Sequence, residues 1–275
     1  MSKREPGKIE RIAADLRVQI RQGEYSPGDQ LPSVAELQAR DGIAYQTARD
    51  VYRVLEREGL VYTRQGKGSF VSPFLDKINR DGTGRYQPTA RSEGQARGAF
   101  SAELQRLGLA YKAESSPTVI ERLRPPKAVA DIFGLHHSAK ALSRYRVMRA
   151  GRVSDAVDPG EGFPVQIAVS WFPADVSFDT ALERQDTGPG GSKSRLAEMG
   201  FEQTRIEEAL EVRLPLPIGV GGSNEAKALG ISDDQPVYEL LHVARTSNGR
   251  PVEAAIHVMP TNIWRLSYSW NISPS

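Results

Sequence analysis

The 275-residue chain contains no cysteine. That excludes disulfides, thiolate metal sites and a cysteine nucleophile together. No apolar run is long enough to cross a bilayer or to form the core of a secretion signal, so a cytoplasmic protein without a membrane partner is expected. Acidic and basic residues nearly cancel, 36 Lys and Arg against 34 Asp and Glu. With a net charge of only +2, any binding to a polyanion must come from a local stripe of Lys and Arg that displaces counterions from phosphates. The chain has no internal repeat, no low-complexity tract, no nucleophile elbow, no phosphate loop and no carboxylate pair whose spacing demands catalysis. What it does have is 39% hydrophobic and 25% charged residues, an ordinary globular composition in a length that suits about two domains.

The most structured reading lies between Ser33 and Val71. Ser33 and Glu36 have the spacing of a capping box, in which the Ser hydroxyl takes the N3 amide and the Glu carboxylate reaches back to the cap amide. A helix is therefore expected from Val34 until Asp41-Gly42, and a second from Tyr45 to Glu58, closed by Gly59. On the second helix Ala48, Val51, Tyr52 and Leu55 recur at helical spacing and face the core, which leaves Tyr45, Gln46, Arg49 and Arg53 pointing outward. Leu60 to Tyr62 then begins a strand, Gln65-Gly66-Lys67-Gly68 makes a glycine-rich tip, and Ser69 to Val71 returns. Upstream, Ile9, Ile12, Ala13, Leu16 and Ile20 form the apolar stripe of a preceding helix that ends by Gly23. Three helices and a two-stranded wing make a winged helix-turn-helix over residues 1–75.

The succession of Leu31-Pro32-Ser33, a capped helix, an Arg-bearing helix, EGLV and RQGKGSFV resembles the DNA-binding domain of GntR-type bacterial transcription regulators. The resemblance implies double-stranded DNA as a partner, with Ser33, Tyr45, Gln46, Thr47, Arg49, Arg53, Arg64, Gln65, Gly66 and Lys67 as candidate contacts. Arg49, Gly66, Lys67 and Gly68 match the family pattern. Ala44, Tyr45 and Gln46 stand where the family has Ser, Arg and Thr, and Val34-Ala35 where it has Glu-Arg, so the operator sequence should be this chain's own.

Residues 76–97 carry glycines, Pro88 and scattered arginines but few large apolar side chains, and read as a linker. Arg80, Arg85, Arg91 and Arg97 are taken there as residues of a solvated tether that could also touch phosphate. Beyond, over 98–275, short helices alternate with strands. Helices are expected at Ala99–Leu107, Pro126–Phe133, Ser192–Met199 and Asn224–Leu229. Strands are expected at Thr118–Leu123, Ala141–Arg149, Pro164–Phe172, Gln203–Leu214, Val237–Thr246, Pro251–Met259 and Trp264–Trp270, with a long loop over 150–162. The class is α+β with a largely antiparallel sheet.

In the last hairpin Asn248-Gly249 has the preference of a two-residue turn, which pairs Ser247 with Arg250, Ala244 with Glu253 and His242 with Ala255. His242, Glu253 and His257 then share one face, opposite an apolar face of Leu241, Val243, Ala254, Ile256 and Val258. The polar trio is either a ligand-binding face or a buried hydrogen-bonded network. As a metal site it fails on reach, since diagonal neighbours on twisted strands stand roughly 7–8 Å apart. Neither metal nor cofactor is expected. His136 and His137 are assigned no role.

The order of Phe100-Ser101-Ala102-Glu103-Leu104, PVQIAVSWFP, EAKALGIS and LLHVARTSNGRPVEAA resembles the UTRA effector-binding domain of the HutC branch of GntR regulators, over about Ala99 to Trp270. That resemblance implies a sheet like that of chorismate lyase, a small-molecule effector and a homodimer on a palindromic operator. Carried over residue by residue, it implies effector contacts at Arg146, Ser192, Arg205, Glu207 and Glu253. Met148 replaces a second Arg and Ala168 a Glu, which favours a carboxylate with an apolar body over a sugar phosphate. An enzyme of chorismate lyase-like fold fused to a DNA-binding module is the alternative.

Overall fold

Burial of one stripe explains the first helix, α1 (Lys8–Arg21), whose Ile12, Ala13, Leu16 and Ile20 are all in the core. The structure, a computed structural model, describes residues 7–64, 66–86, 99–152, 162–188 and 190–271. It divides into two units, Met1–Ile78 and Asn79–Ser275.

In the first unit α2 (Val34–Asp41) starts on the expected capping box: Ser33 N donates to Glu36 Oε2 (2.7 Å) and Glu36 N to Ser33 Oγ (3.2 Å). Gly42 ends it in the left-handed conformation. The helix α3 (Tyr45–Arg57) buries Ala48, Val51, Tyr52 and Leu55 against α1 and α2 in one apolar cluster with Leu31, Leu37, Leu60, Val61 and Val71. Tyr52 OH, pushed above the usual tyrosine range by burial, donates to the Pro32 carbonyl. The outer end is tied by Arg17, which donates to both Glu58 oxygens (2.7 and 2.5 Å). Because α2 is only eight residues long, its cap carries much of its local stability. Ser33→Ala is expected to lower the unfolding free energy of this unit by about 1 kcal/mol in urea titrations.

Strands β1 (Val61–Arg64) and β2 (Gly68–Val71) pair antiparallel, Val61 with Val71 and Arg64 with Gly68. At the tip, Gly68 has φ +110° and a Cβ there would lie 2.9 Å from Gln30 Nε2, a group that donates to the Lys67 carbonyl (3.0 Å). A glycine is thus required for Gln30 to brace the wing.

In the second unit a seven-stranded antiparallel sheet runs in the order β4 (Leu109–Tyr111), β6 (Ala141–Arg152), β7 (Phe163–Pro173), β10 (Pro251–Pro260), β9 (Val237–Arg245), β8 (Arg205–Arg213), with β5 (Val119–Leu123) on the other half of β6. Helices α5 (Lys127–Phe133) and α8 (Glu225–Leu229) cover one face, where Ile167, Val169, Trp171, Ala254, Ile256 and Val258 form the core. The other face packs at one end on Val176, Leu182 and Leu196, from α6 (Ala174–Ser177), a single helical turn and α7 (Gly191–Glu198). The first helix of this unit is α4 (Ala99–Gln105).

Two expectations change. The stretch taken as tether is folded at its start: β3 (Ile78–Asp81) pairs with β11 (Trp264–Ser267), and Gly82 N donates to the Ser267 carbonyl (2.9 Å). Arg80 is only 4% exposed, so neither it nor Arg85, which is ion-paired to Glu103 (2.5 Å), belongs to a solvated tether. Arg91 and Arg97 lie outside the described residues, as does 153–161 of the expected long loop. The last hairpin closes with three residues rather than two: Thr246 N donates to the Arg250 carbonyl (3.0 Å) around Ser247, Asn248 and Gly249. Gly249 at φ +84° takes the left-handed position such a loop requires. A bulge between Pro251 and Glu253 then restores the expected pairing of Ala244 with Glu253 and His242 with Ala255.

Candidate functional site

On the outer face of α3, Tyr45, Gln46, Arg49 and Arg53 are all exposed and Thr47 is half-buried. Gln46 Nε2 donates to Asp50 Oδ1 (2.9 Å), and Arg53 pairs with the same oxygen (2.9 Å). Asp50, which the periodicity did not single out, thus holds two of the candidate contacts on this helix, Gln46 and Arg53. Arg49 is differently placed, its guanidinium carbon 6.0 Å from the Tyr45 ring centroid. On the wing, Arg64 lies over the Tyr62 ring (5.5 Å) and Gly66 and Lys67 are exposed. Gln65 lies outside the described residues. Ser33 is committed to the helix cap.

The second site is the polar face of the large sheet. In an antiparallel ladder directly paired residues share a face, so the pairings Arg146–Ala168–His257 and Glu208–His242–Ala255 place these side chains on one side, with Met148 opposite Gln166. Gln166 Nε2 lies 2.8 Å from His257 Nδ1 and 3.5 Å from Met148 Sδ, and the His242 and His257 rings meet edge to face at 6.4 Å. The acid that His242 meets is Glu208, 3.4 Å from its Nδ1, and not Glu253, which accepts from Gln203 Nε2 (2.9 Å). Arg205 and Glu207 fall on the opposite face, paired with each other (2.9 Å) and with Arg245 (3.2 Å from Glu207). Ser192 stands in the first turn of α7. The sheet therefore brings together Arg146, Met148, Ala168, His242 and His257, and leaves Arg205 and Glu207 out. Among the described residues no group of three His, Cys, Asp or Glu side chains could hold a metal ion.

Sequence reasoning missed the residues that complete this face. Arg80 donates to Glu208 and, at 3.0 Å, to Tyr86 OH. Tyr86 OH donates to Glu208 Oε1 (2.5 Å) and lies 3.1 Å from His242 Nδ1, with the two rings stacked at 5.7 Å. Burial alone would raise the Glu208 carboxyl, but the His242 hydrogen bond, the Arg80 charge and the Tyr86 hydroxyl outweigh it and hold the group at about 2. Burial pushes Tyr86 up to about 12.

His257 retains some accessible surface, yet the atoms packed round its ring desolvate it strongly; together with the charges of Arg80, His242, Arg85 and Arg146 this holds it well below the usual histidine range. Its neutral form belongs to the folded state, so its contribution to stability is present above about pH 6.5 and is lost as the pH falls below it. Between pH 7 and 5 the unfolding free energy of this unit is expected to drop with a His257 contribution of up to about 1.4 kcal/mol per pH unit, and His257→Gln to flatten that slope.

A winged helix with an exposed arginine-bearing helix, in one chain with a sheet domain that has a charged polar face, has the make-up of a DNA-binding regulator. Residues 8–71 match the gntR family of bacterial regulatory proteins, and residues 109–264 match the UTRA domain. The chain belongs to the GntR family, in the branch with a UTRA domain, and is a DNA-binding transcription regulator. It is 28% identical over 271 residues to the HTH-type transcriptional regulator SCO4628 of Streptomyces coelicolor, spanning 98% of this chain and 94% of that one. To the HTH-type transcriptional repressor NagR of Bacillus subtilis it is 33% identical over 253 residues, 89% and 86% of the two chains. The crystal structure of PhnF from Mycobacterium smegmatis shares the fold, with a TM-score of 0.54 at 18% identity over 95% of this chain and 100% of that one. These relatives are regulators, which sets aside the lyase-like enzyme alternative. Among the described residues no helix is long and apolar enough to cross a membrane.

Proposed function

We propose that the protein is a homodimeric repressor that grips a palindromic operator through α3 and the wing, and lets go when a small acidic effector binds the polar face of its large sheet. The observation that carries this reading is that face: Arg146, His242 and His257 stand together on it, opposite the apolar core face. Met148 and Ala168, both buried there, give it an apolar floor suited to a carboxylate with an apolar body. The relative named as a repressor supports the sign of the response. An effector shifts the DNA-competent arrangement only by its differential affinity for it, typically 1–3 kcal/mol, or about five- to 150-fold in operator affinity.

The homodimer is supported by the free edge of the sheet. At every second position from 210 to 218 stands an exposed apolar side chain, Leu210, Val212 (62%), Leu214, Leu216 and Ile218 (78%), and among the described residues β8 has no strand beyond it. Such an edge is sticky unless covered, and a second copy would cover it. Val212→Lys is expected to shift the protein from dimer to monomer in sedimentation at micromolar concentration and to leave its circular dichroism unchanged. An unshifted dimer would place the interface elsewhere.

A thermal-shift screen over acidic metabolites and sugar phosphates tests the effector reading, because a ligand at 100 times its dissociation constant stabilises by about 2.7 kcal/mol. The expected hit is a carboxylate that also releases operator DNA and loses its effect in Arg146→Ala. Stabilisation by sugar phosphates alone contradicts the reading of Met148 and Ala168.

A further inference from the structure

We propose that Arg80 and Arg85, on the segment joining the two units in sequence, form part of the effector site and hold the effector's anionic group together with Arg146. The proposal rests on the reading of the polar sheet face as that site, and adds to it a wall supplied by the chain just beyond the DNA-binding unit.

Three observations carry it. The first is charge: Arg80 is ion-paired with Glu208, which meets His242, whose ring meets that of His257 at 6.4 Å, while Arg146 shares the His257 face across Ala168 and Arg85 is ion-paired with Glu103. Among the described residues, three guanidinium groups stand against two carboxylates, which with His257 held neutral leaves one positive charge without a counter-charge in a desolvated place. A monoanion supplies it. The second is satisfaction of polar atoms. Among the described residues Arg80 Nε and Arg146 Nε are both buried without a hydrogen-bond partner, and Arg80 is only 4% exposed. Native interiors leave few such atoms, and two guanidinium N–H groups in one cluster call for an acceptor. The third is that the arginines are held ready. Arg80 is fixed by Glu208 and Tyr86, and Arg85 by Glu103 (2.5 Å), so no side-chain search is needed when an anion arrives.

The arrangement also suggests how binding is reported. An anion that accepts from Arg80 and Arg85 shares these guanidinium groups with Glu208 and Glu103, so it pulls on β3 and on the single helical turn Gly84–Tyr86. That segment follows the first unit directly in sequence.

The test uses the full-length protein and two probes, benzoate and inorganic phosphate, titrated against chloride at constant ionic strength and followed by thermal stability and calorimetry. Wild type is expected to bind benzoate, and Arg85→Gln to weaken that binding by at least about tenfold, as the loss of one charge-assisted hydrogen bond implies. Arg85→Lys should recover part of it. Arg80→Met combined with Glu208→Gln removes the buried pair together and should weaken benzoate to a similar degree; circular dichroism reports whether this variant folds, and Arg85→Gln decides the matter if it does not. Full benzoate affinity in Arg85→Gln, with binding lost in Arg146→Ala, overturns the role of the segment and keeps the sheet-face site. Full affinity in Arg146→Ala as well overturns the site reading itself. Binding of neither probe by wild type, or equal loss of phosphate and benzoate to salt alone, overturns the proposal.

Discussion

Arg49→Ala is expected to weaken operator binding by about 1–3 kcal/mol, about five- to 150-fold, and to relax discrimination at one base pair of each half-site. Arg49 sits one turn into α3 on the exposed face, where its planar fork can reach the O6 and N7 acceptors of a guanine. Its neighbours are less available. Gln46 and Arg53 are both engaged by Asp50, so their contacts with DNA must first displace an existing hydrogen bond or ion pair. Among the described residues no carboxylate holds Arg49, which makes it the guanidinium on this face free to be spent on a base. Lys67→Ala gives the contrasting result, a weakening that is alike for all sequences and a salt slope reduced by about one, because a lysine at an exposed wing tip neutralises phosphate without reading bases. Fluorescence anisotropy with matched and mismatched operators over a salt series separates the two. Unchanged binding in both variants contradicts the assignment of α3 and the wing to DNA.

Glu208→Ala is expected to destabilise the second unit by about 3–5 kcal/mol, since removing one member of a buried pair strands the other charge. The partner is Arg80, whose side chain is 4% exposed against 11% for Glu208, and Tyr86 and His242 lose a common acceptor in the same step. The double variant Arg80→Met with Glu208→Gln should recover most of the loss, because replacing a buried ion pair by groups of similar volume is often neutral or better. Urea denaturation followed by circular dichroism reads both. Equal losses in the single and double variants would mean that the cost comes from packing and not from an uncompensated charge.

The parts of this structure governed by local rules were legible in the sequence. Ser33 with Glu36 announced its capping box, the apolar spacing of Ala48, Val51, Tyr52 and Leu55 fixed the buried side of α3, and the two faces of the last hairpin came out as its alternation implied. What was not legible depended on pairing over long distances. Glu207 and Glu208 differ by one position yet lie on opposite faces of the sheet, and only the register of β8 on β9 decides which of them shares a face with His242. Arg80 and Tyr86 were read as tether because their surroundings lack large apolar residues; their partners Glu208 and His242 are more than a hundred positions away. The hairpin tip was misread by one residue because the turn and the bulge cancel, a pair of compensating features that leaves the distal alternation unchanged.

Selection of bound sequences from random DNA with the full-length protein tests the regulator directly. A two-fold symmetric inverted repeat, enriched by wild type and relaxed at one base pair of each half-site by Arg49→Ala, is the expected result, because the proposed dimer, carrying two copies of α3, would impose its own symmetry on the site. Enrichment of a single asymmetric half-site, or no enrichment at all, would contradict it.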